Sequence, residues 1–180
     1  MKKTALVAIA DGIEELEAVA LIDLLRRADA EVTVASVDGL QVVASRKTKL
    51  TADCGIEDCA NAVFDLIALP GGLPGAEHLR DSPTLVRLLK EQAAAGRLYA
   101  AICASPIVVL KAHGLLPKRA ACHSYFRKEL TEPTAAEDDV VTDGNCTTSC
   151  GPGTAFAFAL ALAEQLCGAD AVQRVRATLR

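Results

Sequence analysis

The sequence predicts an α/β fold with a mostly parallel β-sheet covered by helices. Three observations carry that expectation. Short runs rich in Val, Ile and Leu alternate with longer stretches of helical apolar spacing. The first run, residues 4–10, is apolar almost throughout, as a strand buried on both faces must be. Of the 180 residues 51% are hydrophobic but only 3% aromatic, with no Trp, so the core is built from Ala, Val, Leu and Ile. A chain of this length has room for one domain with a sizeable core and little room for two.

Taken in order, residues 4–10 form the first strand and Gly12 turns the chain. Residues 14–28 form a helix, with Leu16, Val19, Ala20, Leu24 and Ala28 recurring at helical spacing. A second strand spans 31–37. After Gly39, residues 40–54 read as short antiparallel pieces at an edge. Residues 64–69 form the third central strand, which Pro70-Gly71-Gly72 breaks. Ser82-Pro83 has the form of an N-cap with a first-turn proline, opening a helix to about residue 95. A strand at 98–102 leads into a helix that begins near Ser105-Pro106 and stops by Gly114. A short strand at 119–122 and a short helix at 124–130 follow. Residues 140–148 read as a hairpin around Asp143-Gly144. Residues 153–166 form a buried helix, and a last helix starts at Ala169.

Composition narrows the function classes. Nineteen basic against 23 acidic residues give a formal charge of -4, which gives no support to nucleic-acid binding. No run of 18 apolar residues predicts a membrane span. The apolar run after Lys3 ends at Asp11, so it reads as a strand and not as a signal peptide. Seven cysteines, an odd number without a disulfide framework, predict free thiols in a reducing compartment and a cytoplasmic location. The pairs Cys54/Cys59 and Cys146/Cys150 are spaced too loosely for the usual structural zinc pattern. A Cys146–Cys150 disulfide would demand a geometry that one strand rarely provides. Cys122 and Cys167 read as packing residues.

The informative segment is 98–106. Cys103 follows a central strand and directly precedes a helix, a sharp turn that needs small neighbours such as Ala101 and Ser105. A helix N-terminus at that point favours the thiolate. A plain buried cysteine is the competing reading. The string 70–75 holds three glycines, either as an oxyanion site of backbone amides or simply as a sharp connection. Three glutamates, Glu14, Glu15 and Glu17, stand at the start of the first helix, at the sheet edge where parallel strands place active sites. Glu17 has apolar neighbours, so a partly buried, protonated carboxyl is expected there. The sequence leaves open which of the three points inward. His123 is a candidate base or proton shuttle. His78 is placed at the crevice rim, and His113 at a helix end in a capping role.

Together these residues resemble the ThiJ/PfpI superfamily, in the branch of the Parkinson-disease protein deglycase and bacterial YajL. The marks are residues 12–19 (Gly-Ile-Glu-Glu-Leu-Glu-Ala-Val), 69–72 (Leu-Pro-Gly-Gly), 100–104 (Ala-Ala-Ile-Cys-Ala) and 151–154 (Gly-Pro-Gly-Thr), four blocks in order along essentially the whole chain. The resemblance implies a flavodoxin-like, class I glutamine amidotransferase-like three-layer sandwich that forms a homodimer. It places the family's reactive, oxidisable cysteine on Cys103, its protonated glutamate on Glu17 and its histidine on His123. The backbone groups beside the nucleophile fall on Gly71, Gly72 and Ala104. Family arginine roles fall on Arg46, and Glu14, Arg46, Ser124 and Cys150 are the candidate substrate-pocket residues. Two departures stand out. Ser124 follows the histidine where the branch usually has proline, and Cys150 replaces an arginine before the Gly-Pro-Gly-Thr block.

The resemblance further implies a cysteine enzyme acting on a small dicarbonyl: a glutathione-independent glyoxalase converting methylglyoxal to lactate, or a deglycase of early glycation adducts. That chemistry requires no metal or organic cofactor, and the composition predicts no nucleic-acid partner and no membrane. The alternative it carries is a redox sensor or chaperone regulated by oxidation of Cys103 to the sulfinate. The apolar residues of the first helix, Val19 with Leu21 or Ile22, are expected at the dimer contact.

Overall fold

A computed structural model of the chain describes residues 2–130 and 138–179. The first apolar run is β1 (Thr4–Ile9), and all but its first residue are buried. It is followed by α1 (Glu15–Arg27) and β2 (Glu31–Ser36), whose six residues pair in parallel register with β1. β3 (Gln41–Val43) and β4 (Lys49–Thr51) make a separate antiparallel hairpin. β5 (Cys54–Gly55) joins the main sheet in parallel beside β2. Then come β6 (Leu66–Leu69), α2 (Gly75–Asp81), α3 (Pro83–Ala94) and β7 (Leu98–Ile102). β8 (Val140–Asp143), β9 (Cys146–Ser149), α4 (Ala155–Cys167) and α5 (Ala169–Thr178) complete the described chain.

The seven-stranded sheet runs β5-β2-β1-β6-β7-β9-β8, parallel throughout except for β8, which lies antiparallel on β9. Helices α1, α4 and α5 pack on one another, while α2 packs on α3 and on the 106–113 segment. The central strands between these groups are almost wholly buried, as a sheet covered on both faces requires. This is the expected α/β sandwich of the flavodoxin-like kind. Among the described residues no helix is long and apolar enough to cross a membrane.

Several local expectations need correction. Leu21, one alternative for the dimer contact, lies on the buried face of α1 with Glu17, Ala18, Leu24 and Leu25, whereas Leu16 and Val19 are 54% and 46% exposed. Helix α2 was not expected, because Pro74 and Gly75 read as loop; its Ala76 and Leu79 nevertheless give it a buried edge. Residues 119–122 form no strand. Two of their amides go to side chains instead: Arg119 N donates to Asp143 Oδ2 (3.0 Å) and Ala121 N to Thr148 Oγ1 (2.8 Å). After β7 the chain forms a π-helical turn at Pro106–Leu110 and a 3-10 turn at Lys111–His113, not a regular α-helix. The 124–130 segment is likewise 3-10, over Ser124–Glu129. The N-cap at Ser82 is as expected, its hydroxyl accepting from Leu85 N.

Candidate active site

Parallel pairing brings the C-terminal ends of β1, β6 and β7 to one edge, and the loops leaving them interlock. Glycine 71 sits directly against the turn after β7. A Cβ there would lie 2.6 Å from Cys103 Cβ and 2.8 Å from Ala104 N, so no larger residue fits. Gly72 has φ +87, and a Cβ on it would meet Glu14 N at 2.4 Å. The amide of Glu14 donates to Gly71 O (2.9 Å), tying the start of α1 to the same loop.

Cys103 adopts φ +66, the left-handed region that costs a non-glycine residue about 1–2 kcal/mol. Its backbone is held on both sides, since Cys103 N donates to Ser149 O (3.0 Å) and Cys103 O accepts from His123 N (2.8 Å). Buried Ser105 donates its hydroxyl to Pro70 O at 2.6 Å, clamping the turn to the glycine loop. Cys103 is 9% exposed and lines a cavity of about 480 Å³ with Gly72, Ala104, Glu14, Arg46, His123 and Tyr125. The sulfur is thus set at a sharp bend facing a chamber and not sealed in the core.

Glu17 projects from the first turn of α1 behind this cysteine and is 0% exposed. Its Oε2 accepts from Gly71 N at 2.7 Å, while Oε1 is buried without a partner of conventional hydrogen-bond geometry. Burial raises its pKa from an ordinary 4.5 to about 7, opposed by the Gly71 amide and by the neighbouring Cys103 side chain. The proton of the acid form belongs on Oε1, the oxygen that no N–H serves. Burial pushes the Cys103 thiol up to about 12; the adjoining Glu17 charge acts in the same direction, and the amides of Gly72 and Ala104 oppose it. The thiolate-favouring helix terminus expected from the sequence is therefore outweighed. Only a short irregular turn follows Cys103, and desolvation dominates. When Glu17 carries the proton, its charge no longer disfavours a sulfur anion, so the two groups titrate as a pair.

The other two glutamates have different tasks. Glu14 lines the cavity and accepts from Ser45 Oγ at 2.9 Å. Glu15 is bound by Arg46 N at 3.0 Å, by Thr48 N at 3.3 Å and by Ser45 Oγ at 3.1 Å. Burial works against the Glu15 charge, but its own amide, the amides of Arg46 and Thr48 and the Thr48 hydroxyl outweigh it and hold the carboxyl near a pKa of about 2. Glu15 thereby pins the loop between β3 and β4 that carries Arg46 to the cavity.

His123 lines the same chamber, and its Nδ1 accepts from Tyr125 N at 3.3 Å, which leaves the neutral ring's proton on Nε2. The Gly71 amide cannot serve an oxyanion as expected, because its single N–H is already given to Glu17. The amides of Gly72 and Ala104 face the sulfur instead. Ser124 and Cys150 do not reach the chamber. They line a separate depression on the other side of His123 with Arg127 and Thr154. His78 is not at the rim; it pairs with Asp38 at 2.7 Å. His113 does cap a helix end, but that of α2, through Arg80 O at 2.9 Å. Sequence reasoning missed Ser105 as the clamp and Ser45 as a second rim residue. The small size that the elbow demands and a helix start near Ser105-Pro106 say nothing of the carbonyl that the Ser105 hydroxyl finds.

All seven cysteines are free, and no cluster of three or more His, Cys, Asp or Glu able to hold a metal occurs among the described residues. A flavodoxin-like sandwich with a cysteine at a strand-to-turn elbow, backed by a buried acid, defines a class of α/β proteins with a candidate thiol nucleophile at the sheet edge. Within that class this chain belongs to the DJ-1/PfpI family, whose sequence pattern matches residues 3–165. It is 49% identical over 177 residues to "Protein DJ-1 homolog B" of Arabidopsis thaliana, covering 97% of this chain but 40% of that protein. The chain thus spans less than half the length of that relative. It is 37% identical to the Caenorhabditis elegans "Glutathione-independent glyoxalase DJR-1.2", covering 94% of this chain and 91% of that one. The solved structure "Toxoplasma gondii DJ-1, oxidized" superposes with a TM-score of 0.93 at 44% identity, covering 98% of this chain and 97% of the other.

Proposed function

We propose that this protein is a cofactor-independent cysteine enzyme of the glyoxalase or deglycase type, converting methylglyoxal to lactate. The observation that carries the reading is the Glu17–Cys103 pair: a wholly buried carboxyl with an unserved oxygen, set behind a sulfur that faces a small chamber. In the reaction the sulfur bonds to the aldehyde carbon, and the thiol proton passes through Glu17 to the alkoxide, giving a hemithioacetal. Amides of Gly72 and Ala104 stabilise the oxyanion, each worth about 3 kcal/mol when aligned. The carboxylate then removes the hydrogen on the sulfur-bound carbon as a proton and returns it to the adjacent carbon, while the hydroxyl proton on the sulfur-bound carbon passes to the neighbouring carbonyl oxygen through the enediol. The product is a lactoyl thioester, which water cleaves with help from His123 to release lactate and restore the thiol. Arg46 and Glu14 at the chamber wall set which dicarbonyl enters. The name of the C. elegans relative supports the same chemistry.

The test follows methylglyoxal loss and lactate formation with the purified protein, C103A and E17Q. C103A is expected at the buffer rate. E17Q is expected to lose at least ~100-fold, the usual worth of a positioned acid–base group. Lactate formed equally fast by C103A overturns the assignment.

A second reading, redox sensing or an oxidation-regulated chaperone, draws on the same Oε1. Protonated, it would donate a strong hydrogen bond to a Cys103 sulfinate and slow further oxidation. Peroxide would then add two oxygens at Cys103 and switch a function on, whereas in the enzyme reading it ends turnover. The proposal further takes the chain as one ThiJ/PfpI-type domain acting in the cytoplasm as a homodimer. Exposed Leu16 and Val19 on α1 support a partner surface there.

A further inference from the structure

Cys54 and Cys59 stand apart from the chamber, on the outer strand β5 and at the end of the 3-10 turn Ile56–Cys59. Their sulfurs are 3.6 Å apart, a contact that no other cysteine pair makes among the described residues. Four strand spacings separate β5 from β7, so the pair lies about 19 Å from the Cys103 strand.

We propose that Cys54 and Cys59 form a second redox centre, a dithiol that closes reversibly to a disulfide under hydroperoxide and independently of Cys103. The backbone between them is already folded back on itself: Cys54 pairs with Ala35, Gly55 N donates to Asp58 Oδ2 (3.0 Å), and Cys59 O accepts from Ala62 N (2.9 Å). Closing the bond brings the sulfurs from 3.6 Å to about 2.05 Å, a movement within reach of side-chain rotation. The two thiols are unequal. Cys54 is partly exposed and so meets the oxidant, while Cys59 is buried and serves as the resolving thiol. Burial and the Cys54 sulfur beside it keep the Cys59 proton in place, with the thiol pushed up to about 12.

The chemistry balances without a cofactor. Cys54 sulfur attacks the O–O bond of the hydroperoxide, becoming a sulfenic acid and releasing an alcohol, or water when the oxidant is hydrogen peroxide. Cys59 sulfur then displaces the hydroxyl from Cys54 sulfur, and the hydroxyl leaves as water with the Cys59 proton. Two thiols lose two electrons together, and one O–O bond is reduced. Unlike a sulfinate, this product is returned to the starting state by a thiol reductant.

A tryptic digest tests the proposal directly, since the peptide 50–80 contains Cys54 and Cys59 and no other cysteine. After treatment of the whole protein with one equivalent of hydrogen peroxide and alkylation, this peptide is expected unalkylated and two hydrogens lighter. Dithiothreitol should restore both thiols. C54S and C59S should each abolish the loss, with C59S instead accumulating a dimedone-reactive sulfenic acid at Cys54. C103A should close the bond within twofold of the unaltered rate. A peptide that gains oxygen without losing hydrogen in the unsubstituted protein refutes the disulfide, and a loss that disappears in C103A refutes its independence.

Discussion

Replacing Glu17 by Gln gives the sharpest test of how the acid is held. Gln keeps the shape, lets its oxygen accept from Gly71 N, and presents an N–H where the protonated acid presents O–H. It therefore mimics the acid form at every pH. In the native chain the Glu17 pKa moves from 4.5 unfolded to about 7 folded. Between those values the unfolded chain releases a proton that the folded chain keeps. Folding stability therefore falls by about 1.4 kcal/mol per pH unit, and the contribution is complete below pH 4.5 and lost above about 7. E17Q removes this slope. It should match the native protein near pH 4.5 and exceed it by about 3 kcal/mol at pH 8, while losing catalysis. Urea unfolding at half-unit intervals from pH 4.5 to 8.5 reads the difference directly. A native-minus-variant difference that stays flat across that window would mean the carboxyl ionises freely in the folded protein, and the protonated-acid argument would fail.

Three further outcomes follow from the same geometry. Gly71→Ala places a methyl 2.6 Å from Cys103 Cβ and should cost about 1–3 kcal/mol in chemical unfolding, with activity lost through displacement of the elbow. Ser105→Ala strands the buried Pro70 carbonyl and should destabilise by about 1–3 kcal/mol, with slower alkylation of Cys103 by iodoacetamide marking a misaligned turn. Glu15→Gln releases amides of the Arg46 loop and should raise KM more than it lowers kcat. Because the Glu15 pKa is depressed to about 2, its stabilisation is present above 4.5 and disappears as pH falls toward 2, so native and variant unfolding curves should converge in acid.

Much of this architecture was readable from residues. The unbroken apolar run 5–10 reads as a central strand, and Ser82-Pro83 marks a helix start by cap chemistry alone. The elbow at Cys103 was legible because sharp turns tolerate few side chains. What escaped reading depended on partners distant in sequence. Residues 119–122 look like a strand, yet the N–H groups of Arg119 and Ala121 find the Asp143 and Thr148 side chains, and no local pattern reveals that. Leu16 and Val19 fit a helical stripe as well as Leu21 and Leu25 do, and only packing against the sheet decides which stripe turns inward. The Gly71 amide looked free for an oxyanion until the 2.7 Å bond to Glu17 used its one hydrogen. The same blindness covered the Cys54–Cys59 contact, which a five-residue spacing does not announce.

The β3–β4 hairpin lies outside the main sheet, and its tip is fastened by Glu15, two residues from the acid at Glu17. The hairpin tip and the Glu17–Cys103 pair are therefore joined mechanically through one turn of α1 and electrostatically through Glu14, which accepts from Ser45 Oγ and whose charge raises the Glu17 pKa. A change at Ser45 therefore reaches the buried acid through Glu14, so the wall of the chamber and the reactive pair are not free to diverge independently.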